Sequence, residues 1–196
     1  MSREEFRIMV VGDELVAGRG DARAMGWTGR VLARTESPLP VTPMVLPIPG
    51  EDSHRLAERW ESEVMPRTSP EADNRLVIGL GSRDIDSGVS LVRSRLNLAN
   101  ILDQAARIQM PAFVVGPPPR GDVPADRLSD LSKAFQDVAQ RRGVPFVDTY
   151  HPLAHHDQWQ TDMADPRAYT PQQAGYGLLA WLVLHNGWHH WLGLAS

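Results

Sequence analysis

Apolar positions in this chain fall into short runs of two kinds. Phe6 to Val11 is a compact, β-branched run that breaks at Gly12-Asp13, which reads as a buried strand ending in a turn. Val41 to Ile48 is a second strand signal, interrupted by prolines and closed by Pro49-Gly50. Arg75 to Gly81 is a third and again runs into a glycine turn. Pro111 to Gly116 is a fourth, stopped by Pro117-Pro118-Pro119, and Val144 to Asp148 a short fifth.

Between these runs the spacing becomes helical. Residues 26–34 start a helix with Val31 and Leu32 toward the core, and 53–64 place Leu56, Trp60 and Val64 four apart, with Ser53 as N-cap. Residues 90–108 put Leu91, Leu96, Leu98, Ile101, Leu102 and Ala105 on one side, and 124–142 carry Leu128, Leu131, Phe135 and Val138 inward. Pro171 opens a last helix with Leu178, Leu179, Trp181, Leu182 and Leu184. Trp27, Trp60 and Trp181 read as core. Strand and helix alternate five times, which implies a three-layer α/β/α fold: a five-stranded parallel sheet, helices on both faces, right-handed crossovers. Neither a linker nor an internal repeat divides residues 1–196, so one domain is expected.

In such open sheets ligands bind beyond the carboxyl ends of the strands. The three glycine turns bring Glu14, Gly50 and Gly81-Ser82-Arg83-Asp84 to that rim.

Composition narrows the chemistry. A hydrophobic content of 42% with 22% charged residues is ordinary for a soluble globular chain. The net charge of −4 carries no long basic run, so neither nucleic acid nor an anionic membrane is an expected partner. There is no cysteine, which excludes disulfides, thiolate metal sites and a cysteine nucleophile. Met1-Ser2-Arg3-Glu4-Glu5 leads straight into a strand without a signal-peptide core, and no apolar stretch is of bilayer length, so a cytoplasmic protein is expected.

Gly12-Asp13-Glu14-Leu15 resembles block I of the SGNH (GDSL) hydrolase superfamily, Gly-Asp-Ser-Leu, whose serine is the nucleophile. Further blocks follow in order. Gly50 in Ile48-Pro49-Gly50-Glu51-Asp52-Ser53 fits the block II glycine, a backbone oxyanion donor, and Gly81-Ser82-Arg83-Asp84 fits block III, Gly-x-Asn-Asp, with Arg83 at the asparagine. Pro171-Gln172-Gln173-Ala174-Gly175-Tyr176 matches the tail of block V, Asp-x-x-His-Pro. Aligned without gaps, this puts Thr170 at the histidine and Arg167 at the aspartate; a shift would bring Asp165 or Tyr169 instead. The resemblance covers most of residues 7–185 and implies an SGNH-hydrolase-like, flavodoxin-like fold.

Of the four diagnostic residues only the glycine remains. Ser-His-Asp catalysis needs a hydroxyl nucleophile, a base and an orienting carboxylate, and Glu14, Thr170 and Arg167 supply none of these roles. Placed side by side, Glu14 and Arg83 would form an ion pair filling the pocket, since a buried carboxylate is costly unpaired. The leading expectation is a catalytically degenerate member whose remodelled pocket binds a small ligand or partner protein. The alternatives are an active GDSL-type esterase, lipase or acyltransferase using other residues, or a hydrolase of another bond using Glu14 and Asp84.

Asp13, Ser53, His54, Ser82 and Asp84 are secondary candidates: His54 as a displaced base with Ser53 or Ser82, Asp84 as a second carboxylate or, structurally, as a cap for its turn or a brace for the block I loop. No metal or cofactor is expected. His155-His156-Asp157 and His185 with His189 lack the glutamate of a His-Glu-x-x-His motif, and Asn186-Gly187 breaks the second pair. The apolar tail Trp188 to Leu194 either docks on its own domain or forms a homodimer contact.

Overall fold

Alternation along the strands decides which face of the sheet each side chain serves. The computed structural model describes residues 3–164 and 170–194. Its strands are β1 (Glu5–Gly12), β2 (Val41–Pro47), β3 (Ala72–Gly79), β4 (Ala112–Val115) and β5 (Phe146–Val147). They form one parallel sheet in the order β2-β1-β3-β4-β5. The first helix is α1 (Gly26–Leu32). On one face Met9, Val11, Leu76, Ile78 and Val114 pack under α2 (Ser53–Val64), α4 (Leu91–Arg107) and α5 (Ala125–Gln140), and the short α3 (Arg83–Asp86) falls between α2 and α4 in the chain. On the other face Ile8, Val10, Val77, Phe113 and Val115 pack under α1 and, after α6 (Tyr150–Ala154) and α7 (Asp157–Asp162), under α8 (Gln173–Val183) and α9 (His189–Leu192). The expected three-layer α/β/α architecture is the one observed.

The first turn is forced by close backbone approach. Gly12 pairs with Gly79 across β1 and β3, takes φ +148°, and a Cβ there would overlap the Gly79 carbonyl oxygen. The chain therefore leaves the sheet sharply and sends Asp13 and Glu14 over its carboxyl edge.

Several local expectations are corrected. Ser53 does not cap α2: the Asp52 side chain accepts from the Arg55 N–H at 3.0 Å, and Ser53 is turned inward. Leu91 and Leu96 lie outside, 42% and 46% exposed, because the helical stripe that meets the sheet runs through Ser94, Asn97, Leu98, Ile101 and Leu102. Trp181 is 56% exposed and stacks on His185, ring centroids 4.3 Å apart, because α8 is apolar on nearly all sides and only one side meets the sheet. The helix expected to open at Pro171 is α8, which begins at Gln173, and a further short helix, α9, follows it.

The tail docks on its own domain. Trp188 and Trp191 are buried against Phe113, with ring centroids at 5.4 and 5.2 Å, and the Trp188 indole N–H donates to Thr35 Oγ1 at 2.9 Å. Asn186 and Gly187 leave helical geometry just before it, which lets the chain turn onto the sheet. Among the described residues no helix is long and apolar enough to cross a membrane.

Candidate functional site

Three loops meet at the carboxyl edge: residues 13–20 after β1, 48–52 after β2 and 80–82 after β3. The first is a chain of tight turns, with Val16 N–H donating to Asp13 O at 3.1 Å and Arg19 N–H to Glu14 O at 3.1 Å. Tyr176 of α8 donates its hydroxyl to Arg19 O at 2.7 Å and pins the loop from the other side of the sheet.

At the centre lies the Glu14 carboxylate, only 2% exposed. Its Oε2 accepts the Gly50 N–H at 2.6 Å, and its Oε1 accepts from the Arg83 guanidinium. Burial works to raise the Glu14 pKa, but the Arg83 hydrogen bond and the Gly50 N–H outweigh it and hold the carboxyl below its ordinary value. Arg83 reaches on to Asp86 at 3.1 Å, and Asp86 in turn takes two hydrogen bonds from Arg120, at 2.8 and 2.7 Å. Arg120 also donates to Asp122 at 2.6 Å. Opposite charges thus alternate from Glu14 out to the surface. The hollow that Glu14, Ser82, Arg83 and Pro171 line, among the described residues, has only about 10 Å3, room for roughly one water.

Asp13 sits beneath Glu14 and is fully enclosed. One oxygen accepts the Leu15 N–H at 2.9 Å, and Gly81 passes so close that a Cβ there would overlap the other oxygen. Burial first, and the Glu14 charge second, push its pKa up to about 7.

Asp84 does not brace the block I loop. Its two oxygens accept the Ser53 N–H and the Ser53 hydroxyl, both at 2.6 Å, while Asn97 Nδ2 donates to Ser53 Oγ at 2.9 Å. Asp84 therefore ties the start of α2, three residues beyond Gly50, to the β3 loop. Ser53 is engaged and buried, and so is not available as a nucleophile. His54 points outward to Glu58 at 3.5 Å, its side chain 58% exposed, away from both Ser53 and Ser82; it is no displaced base. Ser82 is buried at the edge of the small hollow. Thr170 is buried, with Gly20 packed close against its hydroxyl, and does not line the hollow. Arg167, Asp165 and Tyr169 lie outside the described residues.

Three features were missed in the sequence. Asp162, on α7, accepts the Gly175 N–H at 2.6 Å and fixes the start of α8 from a distance. Arg120 extends the charge chain from the loop after β4. Asp148 Oδ2 meets His151 Nδ1 at 2.7 Å on the loop after β5, beside a cavity of about 500 Å3. A signal for the last was present: Asp148-Thr149-Tyr150-His151-Pro152 has Asp-x-x-His-Pro spacing. No group of three or more His, Asp or Glu side chains among the described residues is arranged to hold a metal ion.

A parallel 2-1-3-4-5 sheet with glycine turns along its carboxyl edge defines a doubly wound, flavodoxin-like α/β protein. The model of the GDSL-like lipase/acylhydrolase family matches residues 10–178, and the chain belongs to that family. Solved structures share the fold at low identity. The lipase/acylhydrolase from Enterococcus faecalis is 21% identical, with a TM-score of 0.74 over 93% of this chain and 95% of that one. Axe2, an acetylxylan esterase from Geobacillus stearothermophilus, is 17% identical, with a TM-score of 0.78 over 97% of both chains. The esterase EstA from Pseudoalteromonas sp. is 16% identical, with a TM-score of 0.72 over 95% of this chain and 98% of that one. No curated protein matches the sequence.

Proposed function

We propose that this chain is a catalytically degenerate member of its family, with Glu14 at the place of the nucleophile serine and a pocket remodelled for binding rather than ester hydrolysis. One observation carries the reading: the Gly50 N–H, the donor expected for an oxyanion, is already engaged by the Glu14 carboxylate at 2.6 Å. An oxyanion site works because its donors are aimed at charge that develops in the transition state. Here a permanent charge occupies it, and Arg83 neutralises that charge from the other side. An ester carbonyl entering the hollow would have to displace a buried, doubly bonded carboxylate.

The test is hydrolysis of short-chain p-nitrophenyl esters by wild type, Glu14→Ser and Glu14→Ala. Wild type is expected to show no turnover above buffer. Wild-type turnover that Glu14→Ala abolishes would overturn the proposal and make Glu14 catalytic. Turnover that survives Glu14→Ala would favour an esterase using other residues, the activity named for Axe2 and EstA.

A further inference from the structure

The amino edge of the sheet, opposite Glu14, carries a second formed surface. Helices α1 and α8 both run back from the carboxyl edge, and the residues that follow them line an open groove of about 720 Å3. Arg34 and Glu36 come from one side, and Leu184, His185, His189 and His190 from the other. A hydrogen bond staples the two sides together. Trp188, next to His189, donates its indole N–H to Thr35 Oγ1 at 2.9 Å, and Thr35 stands between Arg34 and Glu36. The Thr35 hydroxyl donates in turn to Val31 O at 2.8 Å, and Trp188 is buried, so the groove is held in shape before any ligand arrives.

Its side chains offer both donors and acceptors. Among the described residues the Arg34 guanidinium makes one hydrogen bond, of 3.5 Å to Arg30 O, and the Glu36 carboxylate has no ion-pair partner. His185 Nδ1 lies 2.8 Å from Trp181 O. A carbonyl only accepts, so Nδ1 carries the hydrogen and Nε2 of the neutral ring is left as an acceptor. Arg34 and Glu36 balance in charge and give no preference for an ion. Trp181 adjoins the groove through His185: the two rings stack with centroids 4.3 Å apart, yet Trp181 stays 56% exposed. An indole half in water beside paired donors and acceptors suits a ligand with an apolar face and a rim of hydroxyls. It does not suit a protein partner, whose anchor residues need apolar neighbours that shut out water. The other exposed large apolar side chains among the described residues, Val45, Met65, Leu91, Val92 and Leu96, sit on other elements.

We propose that this surface is a binding site for a neutral oligosaccharide, one sugar ring laid on the Trp181 indole and its hydroxyls held by His185 Nε2, the Arg34 guanidinium and the Glu36 carboxylate. The site lies at the opposite edge of the sheet from Glu14 and is independent of the chemistry there.

Calorimetric titration with cellotetraose, xylotetraose and maltotetraose at millimolar concentration tests it. At least one of the three is expected to bind wild type and to lose about tenfold in affinity in Trp181→Ala, while Trp181→Phe, which keeps a ring, retains most of it. Glu36→Ala and His185→Ala should each weaken binding about three- to tenfold, the loss of one hydrogen bond apiece. Glu14→Gln should leave it unchanged. The substituted side chains are exposed, and a thermal melt of each variant confirms folding. Binding of none of the three sugars to wild type would overturn the proposal, as would binding indifferent to Trp181→Ala. Sedimentation showing a wild-type dimer that Trp181→Ala dissociates would overturn it in favour of a second copy of this chain on the same face.

Discussion

Glu14 Oε2 accepts the Gly50 N–H at 2.6 Å although 36 residues separate the two. The contact exists because β1 and β2 are neighbours in register, Gly12 opposite Pro47, so their outgoing loops leave the sheet side by side. Gly50 takes φ +76°, in the region glycine tolerates best. A side chain one bond shorter than glutamate would not span the same gap without moving the loop. The site's geometry thus follows from strand order, and its chemistry from one residue placed on it.

Removing that residue should expose the arrangement. Glu14→Ala leaves the Gly50 N–H without its acceptor and removes one partner of the Arg83 guanidinium, which keeps Asp86, and should lower stability by about 1–3 kcal/mol. Arg83→Ala in the same background should cost less than it does in wild type, since the Glu14 partner is already gone and only contacts such as Asp86 remain to be lost. Formate should then restore part of the loss, because a free carboxylate can take the vacated place. At ten times its Kd it would add about 1.4 kcal/mol to Glu14→Ala and nothing to wild type. Equilibrium urea unfolding with and without formate measures both. Equal stabilisation of the two proteins would argue against a vacated carboxylate site.

Asp13 sets a pH dependence whose sign is fixed by burial. Its folded pKa is raised to about 7, above its unfolded value, so the folded state holds the proton more tightly. Its contribution is fully present below the unfolded pKa, near pH ~4, and is lost as pH rises to about 7. The stability of wild type relative to Asp13→Asn should therefore fall by something on the order of 2 kcal/mol between about pH 5 and about pH 8. Glu14 works the opposite way: its lowered pKa gives stability that disappears only at acid pH, below the ordinary carboxylate range. Denaturant unfolding of the two proteins across this range separates the terms, and a constant difference would contradict the raised Asp13 pKa.

Much of this was legible in the sequence because it depends on period and punctuation. The runs at Phe6–Val11, Val41–Ile48 and Arg75–Gly81 read as strands, and the glycine turns that close them placed Glu14, Gly50 and Arg83 on one edge. What was misread depends on which way a side chain turns after the backbone is set. Ser53 looked like a helix cap because serine commonly is one; Asp52 took that role, and Ser53 turned in to Asp84 and Asn97. His54, one residue on, points to solvent for the same rotational reason. Trp181 was read as core from hydrophobicity alone, although a helix apolar on all sides does not reveal which side meets the sheet. The Asp148–His151 pair and the cavity beside it depend on α6 and α7, two short helices with no strong period of their own.

The clamp between Asp84 and Ser53 should prove structural. Ser53 is fully buried, and both its N–H and its hydroxyl end on the one carboxylate. Asp84→Ala leaves two buried groups without acceptors and should cost about 3 kcal/mol or more, whereas Asp84→Asn keeps one acceptor and should cost roughly half as much. If Asp84 instead served acid–base chemistry, Asn would be the more damaging for activity while leaving stability near wild type. Unfolding free energies of the two variants distinguish these outcomes.

The aromatic tail offers the sharpest contrast in stability. Trp188 is 1% exposed, packs edge-on against Phe113 and tilted against Trp191, and hydrogen-bonds Thr35 far along the chain. Truncation to alanine removes a large buried surface and opens a cavity under the sheet, for an expected loss of about 3–5 kcal/mol. Trp181 carries the same side chain seven residues earlier, but more than half of it is in water and its contact is the exposed His185 ring. Trp181→Ala should therefore change stability by about 0.5 kcal/mol or less. Thermal and urea unfolding of both variants measures the difference. Comparable losses at the two positions would mean that the outer face of α8 is covered, and sedimentation of the wild-type protein would then show whether a second copy covers it.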